Sequence, residues 1–253
     1  MQPMAIAAIV FVCVFGSAVL GLTLGAWVPK DHLSSESKDV VKLATGLIAT
    51  MAALVLGLLT ASAKGSFDVV NSEVQQTAAN IVQLDRLLAR YGPETKDTRD
   101  LLRRTLAHRI ALMWPEDRAT AQLPDPRATT PQVEGIEEGI LKLVPQNADQ
   151  RDLQSRALQL TADLLRTRWL VFAQEGSPIP TAFLVVLVSW LSLLFVSFGV
   201  LAPRNTTVLA ALMVSALAVS GSIFLILEMS RPLEGLIKIS SAPLHFALAH
   251  LGQ

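Results

Sequence analysis

Hydrophobic and polar positions fall into long blocks along the chain. Four apolar runs, residues 5–28, 43–63, 179–202 and 206–227, contain no Asp, Glu, Lys, Arg or His. Each reaches the roughly 20 helical residues that cross a bilayer, so the pattern predicts four membrane-spanning helices. Pro29 and Lys30 close the first run, and Lys64 and Gly65 follow the second. Ser177, Pro178, Ile179 and Pro180 open the third, since proline is accommodated in a first helical turn. Ala202, Pro203, Arg204 and Asn205 leave only a tight turn before the fourth. Trp27, at a run boundary, and Trp190 are candidates for interfacial or packing roles.

Between the second and third runs the spacing changes from blocks to a helical period. Val70, Val74, Ile81, Leu84 and Leu88 recur at helical spacing, and Tyr91, Gly92 and Pro93 stop that helix. With only Gly65 between them, it continues the second span. Leu102, Leu106, Ile110 and Met113 mark the next helix, residues 115–131 read as a proline-containing loop, and Val133, Ile136, Ile140 and Leu143 mark a short helix. A last one runs from Asp149 through Leu153, Leu160, Leu164 and Leu165 to about Phe172. Nothing alternates with period two, so no sheet is expected. The fold class is an all-α integral membrane protein, with four transmembrane helices and an inserted helical domain. Its divisions are residues 1–63 (spans one and two), 64–178 (helical domain), 179–235 (spans three and four) and 236–253 (tail). The tail is apolar but broken by Pro243 and too short to span, which predicts a helix lying in the membrane interface.

Composition sharpens this reading. Hydrophobic residues make up 51% of the chain and charged ones 17%, against about a quarter in soluble domains. Most of the charge lies between residues 64 and 175. A net charge of zero gives no basic face for nucleic acid. Cys13 is the single cysteine, so no disulfide forms within one chain. No Lys or Arg precedes the first run, and that run exceeds a leader's apolar core, so it reads as a retained span. Four spans place both termini and the inserted domain on one side. Lys64, Arg166, Arg168, Arg231 and Lys238 on that side face Lys30, Lys38, Lys42 and Arg204 on the other. The slight basic excess points to a cytoplasmic domain.

Candidate chemistry is sparse. His32, His108, His245 and His250 match no metal spacing, Glu134, Glu137 and Glu138 read as a solvated helix face, and no catalytic motif occurs. No enzyme activity, metal or cofactor is expected. Spans without ionisable groups argue against a proton relay within one chain. They leave open a pore gated by apolar constriction. In the second span, Thr45, Thr50, Thr60 and Ser62 supply hydroxyls, and Thr50, Leu54 and Leu58 share a face. Thr50, Leu54, Leu58, Ser62 and Lys64 are therefore the pore-lining candidates, though leucines in spans mostly face lipid. Glu228 and Arg231, three apart after the fourth run, read either as a capping ion pair or as a charged pore mouth. Small residues spaced by four, Ser17–Gly21–Gly25 and Ala49–Ala53–Gly57–Ala61, mark close helix contacts within the chain or between copies.

The block ATGLIATMAALVLGLL at residues 44–59, with ASAK at 61–64 and Phe67-Asp68, resembles the second span of the bacterial bestrophin-like membrane protein family of unknown function. LDRLLARYGPE at 84–94, with Arg99 beyond it, and Arg231-Pro232-x-x-Gly235 are similar to further blocks of that family. The resemblance implies four spans, a helical middle domain and a likeness to bestrophins, which are pentameric anion channels with aromatic pore necks. The second span here has no aromatic residue. The expectation is a homo-oligomeric channel for small ions in a bacterial inner membrane. The alternative is a non-conducting scaffold or sensor whose helical domain binds a partner.

Overall fold

A computed structural model describes residues 2–27, 35–114, 126–175, 181–233 and 235–252. Among them every regular element is helical. The helices are α1 (Pro3–Leu24), α2 (Ser35–Tyr91), α3 (Lys96–Met113), α4 (Pro126–Leu141), α5 (Ala148–Glu175), α6 (Thr181–Leu201), α7 (Thr206–Met229) and α8 (Ala242–His250), with a 3-10 turn at Pro93–Thr95. Four of them are long and apolar enough to cross a membrane: α1, α2, α6 and α7. The chain is thus an all-helical membrane protein with a helical insertion. Its contacts divide into two compact units, Met1–Gly65 with Pro178–Ser230, and Ser66–Ser177 with Arg231–Gln253.

In the first unit α1 packs against both α6 and α7. Its core is Val10, Val14 and Ala18 of α1, Ala52 of α2, Leu187, Leu191, Leu194 and Phe195 of α6, and Leu212, Ala216 and Ile223 of α7. Trp190 packs against this core, whereas Trp27 is 86% exposed. Asn205 caps α7, its side chain accepting from the Val208 N–H at 2.8 Å, which satisfies one orphan amide of the first turn.

The second unit buries the stripes the spacing predicts. Val70, Val74, Ile81, Leu84 and Leu88 of α2 meet Leu102, Leu106 and Ile110 of α3, Ile136 and Ile140 of α4, and Ala157 of α5. Fully burying a leucine or isoleucine such as Leu84, Leu88 or Ile140 is worth about 2 kcal/mol. The α2 helix ends where Gly92 takes φ 147°, a backbone region open to glycine. The buried Thr95 hydroxyl then donates to Leu88 O at 2.7 Å, and Gln150 Nε2 donates to Tyr91 O at 2.9 Å. Both satisfy terminal carbonyls of α2.

One expectation changes. α4 begins at Pro126 rather than after Pro131; residues 115–125 lie outside the described set. The tail, expected as an interfacial helix, places one side against its own unit. Ile239, Leu244, Ala247 and Leu251 are buried in the second unit's core, and α8 packs against α3. The side chain of Trp114 reinforces this by donating to Ile239 O at 2.9 Å.

Candidate functional site

Within the first unit, the membrane part of α2 has two unlike faces. Thr45, Ile48, Ala49, Ala52, Val55, Leu56, Leu59 and Ala63 turn toward its neighbours and are buried or half-buried. Thr50, Leu54, Leu58 and Ser62 are exposed, with Leu54 at 66% and Leu58 at 63%. Thr50, Leu54 and Leu58 share one face, as their spacing requires. At about 3.6 residues per turn, Ser62 and Lys64 fall on opposite flanks of that face. The Thr50 hydroxyl donates to Gly46 O at 2.9 Å and that of Thr60 to Leu56 O at 2.8 Å. Each hydroxyl oxygen keeps lone pairs able to accept a further hydrogen bond.

The small-residue stripes separate by the same geometry. A spacing of four precesses by about 40° per step around a helix. Ala49 therefore begins on the half-buried side while Ala53, Gly57 and Ala61 end on the exposed side. Nothing lies within 4 Å of a Cβ built on Gly57. The first-span stripe packs inside the chain. A Cβ on Gly21 would meet the Val196 carbonyl of α6, and one on Gly25 would lie 2.9 Å from Val200 O. Gly199 of α6 answers from the other side against Ala18 O and Leu22 N. Helices with small residues at the crossing approach until backbones touch, and dispersion replaces the hydrophobic drive that lipid removes.

Arg204, in the turn before α7, performs a task its sequence position conceals. Its guanidinium donates to Leu22 O at 3.0 and 2.7 Å and to Thr23 O at 3.1 Å. These are carbonyls of the last turn of α1, where a cation is also favoured by the helix dipole. Arg204→Ala should cost about 1 kcal/mol, because the pair is exposed, and Arg204→Lys about half that. Thermal unfolding followed by circular dichroism in mild detergent measures both; no loss in either variant would show the cap to be idle.

Glu228 is the penultimate residue of α7 and only 4% exposed, and Arg231 is an exposed residue beyond the Ser230 cap.

In the second unit the charged centre is Asp85, 1% exposed. Arg99 grips it with two bonds, Nε to Oδ1 at 2.7 Å and Nη2 to Oδ2 at 3.0 Å. The Gly252 N–H donates to Oδ2 at 3.2 Å, so the same carboxylate holds α2, α3 and the chain's end. The hydrogen bond to Asp85 raises the Arg99 pKa further above its already high range. Sequence reasoning placed both residues in resembling blocks without giving them a role. The signal was present: Asp85 occupies the apolar stripe of Ile81, Leu84 and Leu88, and a carboxylate there requires a partner. Nearer the start of this unit, burial raises the pKa of Glu73 above the usual carboxylate range.

Among the described residues no three His, Cys, Asp or Glu side chains group so as to hold a metal ion. The family model of the Bestrophin-like domain matches residues 11–244. No curated protein shares significant sequence similarity with the chain. Solved structures share the fold. One substituted form of a bacterial bestrophin homologue from Klebsiella pneumoniae has a TM-score of 0.63 at 14% identity, covering 99% of this chain and 97% of its own. A second substituted form gives 0.60 at 14%, covering 96% and 97%. A substituted membrane protein gives 0.60 at 13%, covering 98% and 99%.

Proposed function

We propose, from the premise that this chain belongs to the Bestrophin-like family, that copies of it assemble into a closed ring that passes small ions. The uncovered face of α2 is the conduction lining, and lipid surrounds the other spans. One observation carries this reading: Thr50, Leu54 and Leu58 share a face that none of the described residues covers. In a ring, Leu54 and Leu58 form a dewetting constriction, Thr50 and Ser62 offer hydroxyls on its two sides, and Lys64 stands at the domain-side mouth. The deep burial of Glu228 supports a capping role for Glu228 and Arg231 over a charged mouth. In this reading the chain sits in a bacterial inner membrane with its inserted domain cytoplasmic, and its role is transport without catalysis.

Single-channel recording from purified protein in planar bilayers tests conduction. Wild type should conduct, and Leu54→Ser should raise open probability by making the constriction easier to wet. Silence in both, across voltage, pH and calcium, would leave the scaffold reading the better one. Gly57→Leu adds a test of assembly: its site is open within one chain, so a loss of oligomer mass with an unchanged monomer fold is the expected result.

Orientation is tested by labelling in intact cells, in a Cys13→Ser background. Thr206→Cys, at the start of α7, should react with an impermeant maleimide, and Ser155→Cys, exposed on α5, should not. The reverse pattern would invert the topology.

A further inference from the structure

An open hollow of about 540 Å³ lies between α3 and α8, lined by Asp100, Arg103, Arg104, Ala107 and Leu248. Its size falls in the usual range of small-ligand sites, roughly 300 to 1,000 Å³. Asp100, Arg103, Arg104 and Ala107 sit at i, i+3, i+4 and i+7 of α3, so they share one exposed face beside the buried stripe of Leu102, Leu106 and Ile110. Ala107 and Leu248 of the tail supply the apolar part of the lining.

Charge in the hollow is unbalanced. Arg103 has no hydrogen-bond or ion-pair partner among the described residues. Arg104 donates only to the Asp100 main-chain oxygen, at 3.3 Å. Two guanidinium groups therefore face a single carboxylate. Arg99, one turn before Arg103, is paired with Asp85 and also feels the Asp100 carboxylate, so it adds positive charge beside the hollow and no anion.

We infer that this hollow binds a small anionic amphiphile: a phosphate or carboxylate head between Arg103 and Arg104, with a short apolar part on Ala107 and Leu248. Guanidinium pairs match the oxygens of such heads in fork geometry, and the bonds are charge-assisted. An occupant would join α3 to the tail. The head could come from a lipid or from a soluble phosphate ester, and the chemistry is shared.

Titration calorimetry on the full chain in uncharged detergent, with hexyl phosphate as probe, tests the site. Saturable binding is expected, with inorganic phosphate weaker because it leaves Leu248 untouched. Arg103→Gln/Arg104→Gln should weaken hexyl phosphate at least about tenfold, the factor that one charge-assisted bond is worth. Arg103→Lys/Arg104→Lys should retain part of the affinity. Ala107→Leu should weaken binding by adding bulk to the lining while both charges stay. All three variants alter exposed positions, and unchanged unfolding midpoints check that they fold. Repeating the titration in phosphatidylcholine nanodiscs with and without phosphatidylglycerol identifies the source. Competition by phosphatidylglycerol assigns the site to lipid, and its absence assigns it to soluble esters. No saturable heat with hexyl phosphate, or equal affinity in wild type and the double Gln variant, overturns the inference.

Discussion

Gly199→Val should destabilise the protein by about 3 kcal/mol, the upper end of ordinary overpacking costs. The position has no slack. A Cβ on Gly199 would meet Ala18 O and would lie 2.7 Å from Leu22 N and 2.9 Å from Gly21 C. All three are backbone atoms of α1, so no side chain can swing aside and the helices must part. Parting them strips contact from Val14 and Ala18 of α1 and Leu194 and Phe195 of α6, all core residues. Gly16→Val is the matched control, because nothing lies within 4 Å of a Cβ there. It carries the same β-branched cost in a helix without the clash. Unfolding midpoints in mild detergent compare the two. Equal losses would mean that the α1–α6 crossing does not depend on Gly199.

Asp85→Ala should cost about 3 kcal/mol, the lower end for breaking a buried pair. The lower end applies because Arg99, at 20% side-chain exposure, can recover some water. Two further consequences separate this from a generic core defect. The Gly252 N–H loses its acceptor, so amide exchange across residues 242–252 should quicken more than that of α4. Arg99→Ala should lose a comparable amount, and the double variant should lose much less than the sum, since each single change already abolishes the same pair. Additive losses would show that the two side chains act independently.

These positions mark where sequence reading stopped. The buried stripe of α3, Leu102, Leu106, Ile110 and Met113, was legible because helical periodicity reports its own core face. The exposed face of Thr50, Leu54 and Leu58 was legible as a shared face for the same reason, yet not as uncovered, which depends on where the other spans lie. The two small-residue stripes had the same spacing and different fates. Gly21 and Gly25 meet α6, whereas Gly57 meets nothing among the described residues. The apolar tail was read as interfacial because a local pattern does not say whether lipid or protein will cover it.

The sequence by itself determined four spans and a helical insertion. Both follow from local physics: an apolar run must satisfy its backbone as helix in hydrocarbon, and a 3.6 period has one side to bury. Only the tertiary structure decided the rest. Arg204 caps a helix 182 residues away, Gly252 reaches Asp85 across 167, and Arg99 meets Asp85 across a turn of 14. A hydrogen bond depends on a few tenths of an ångström in position. Residues so distant along the chain acquire that precision only after the helices have packed.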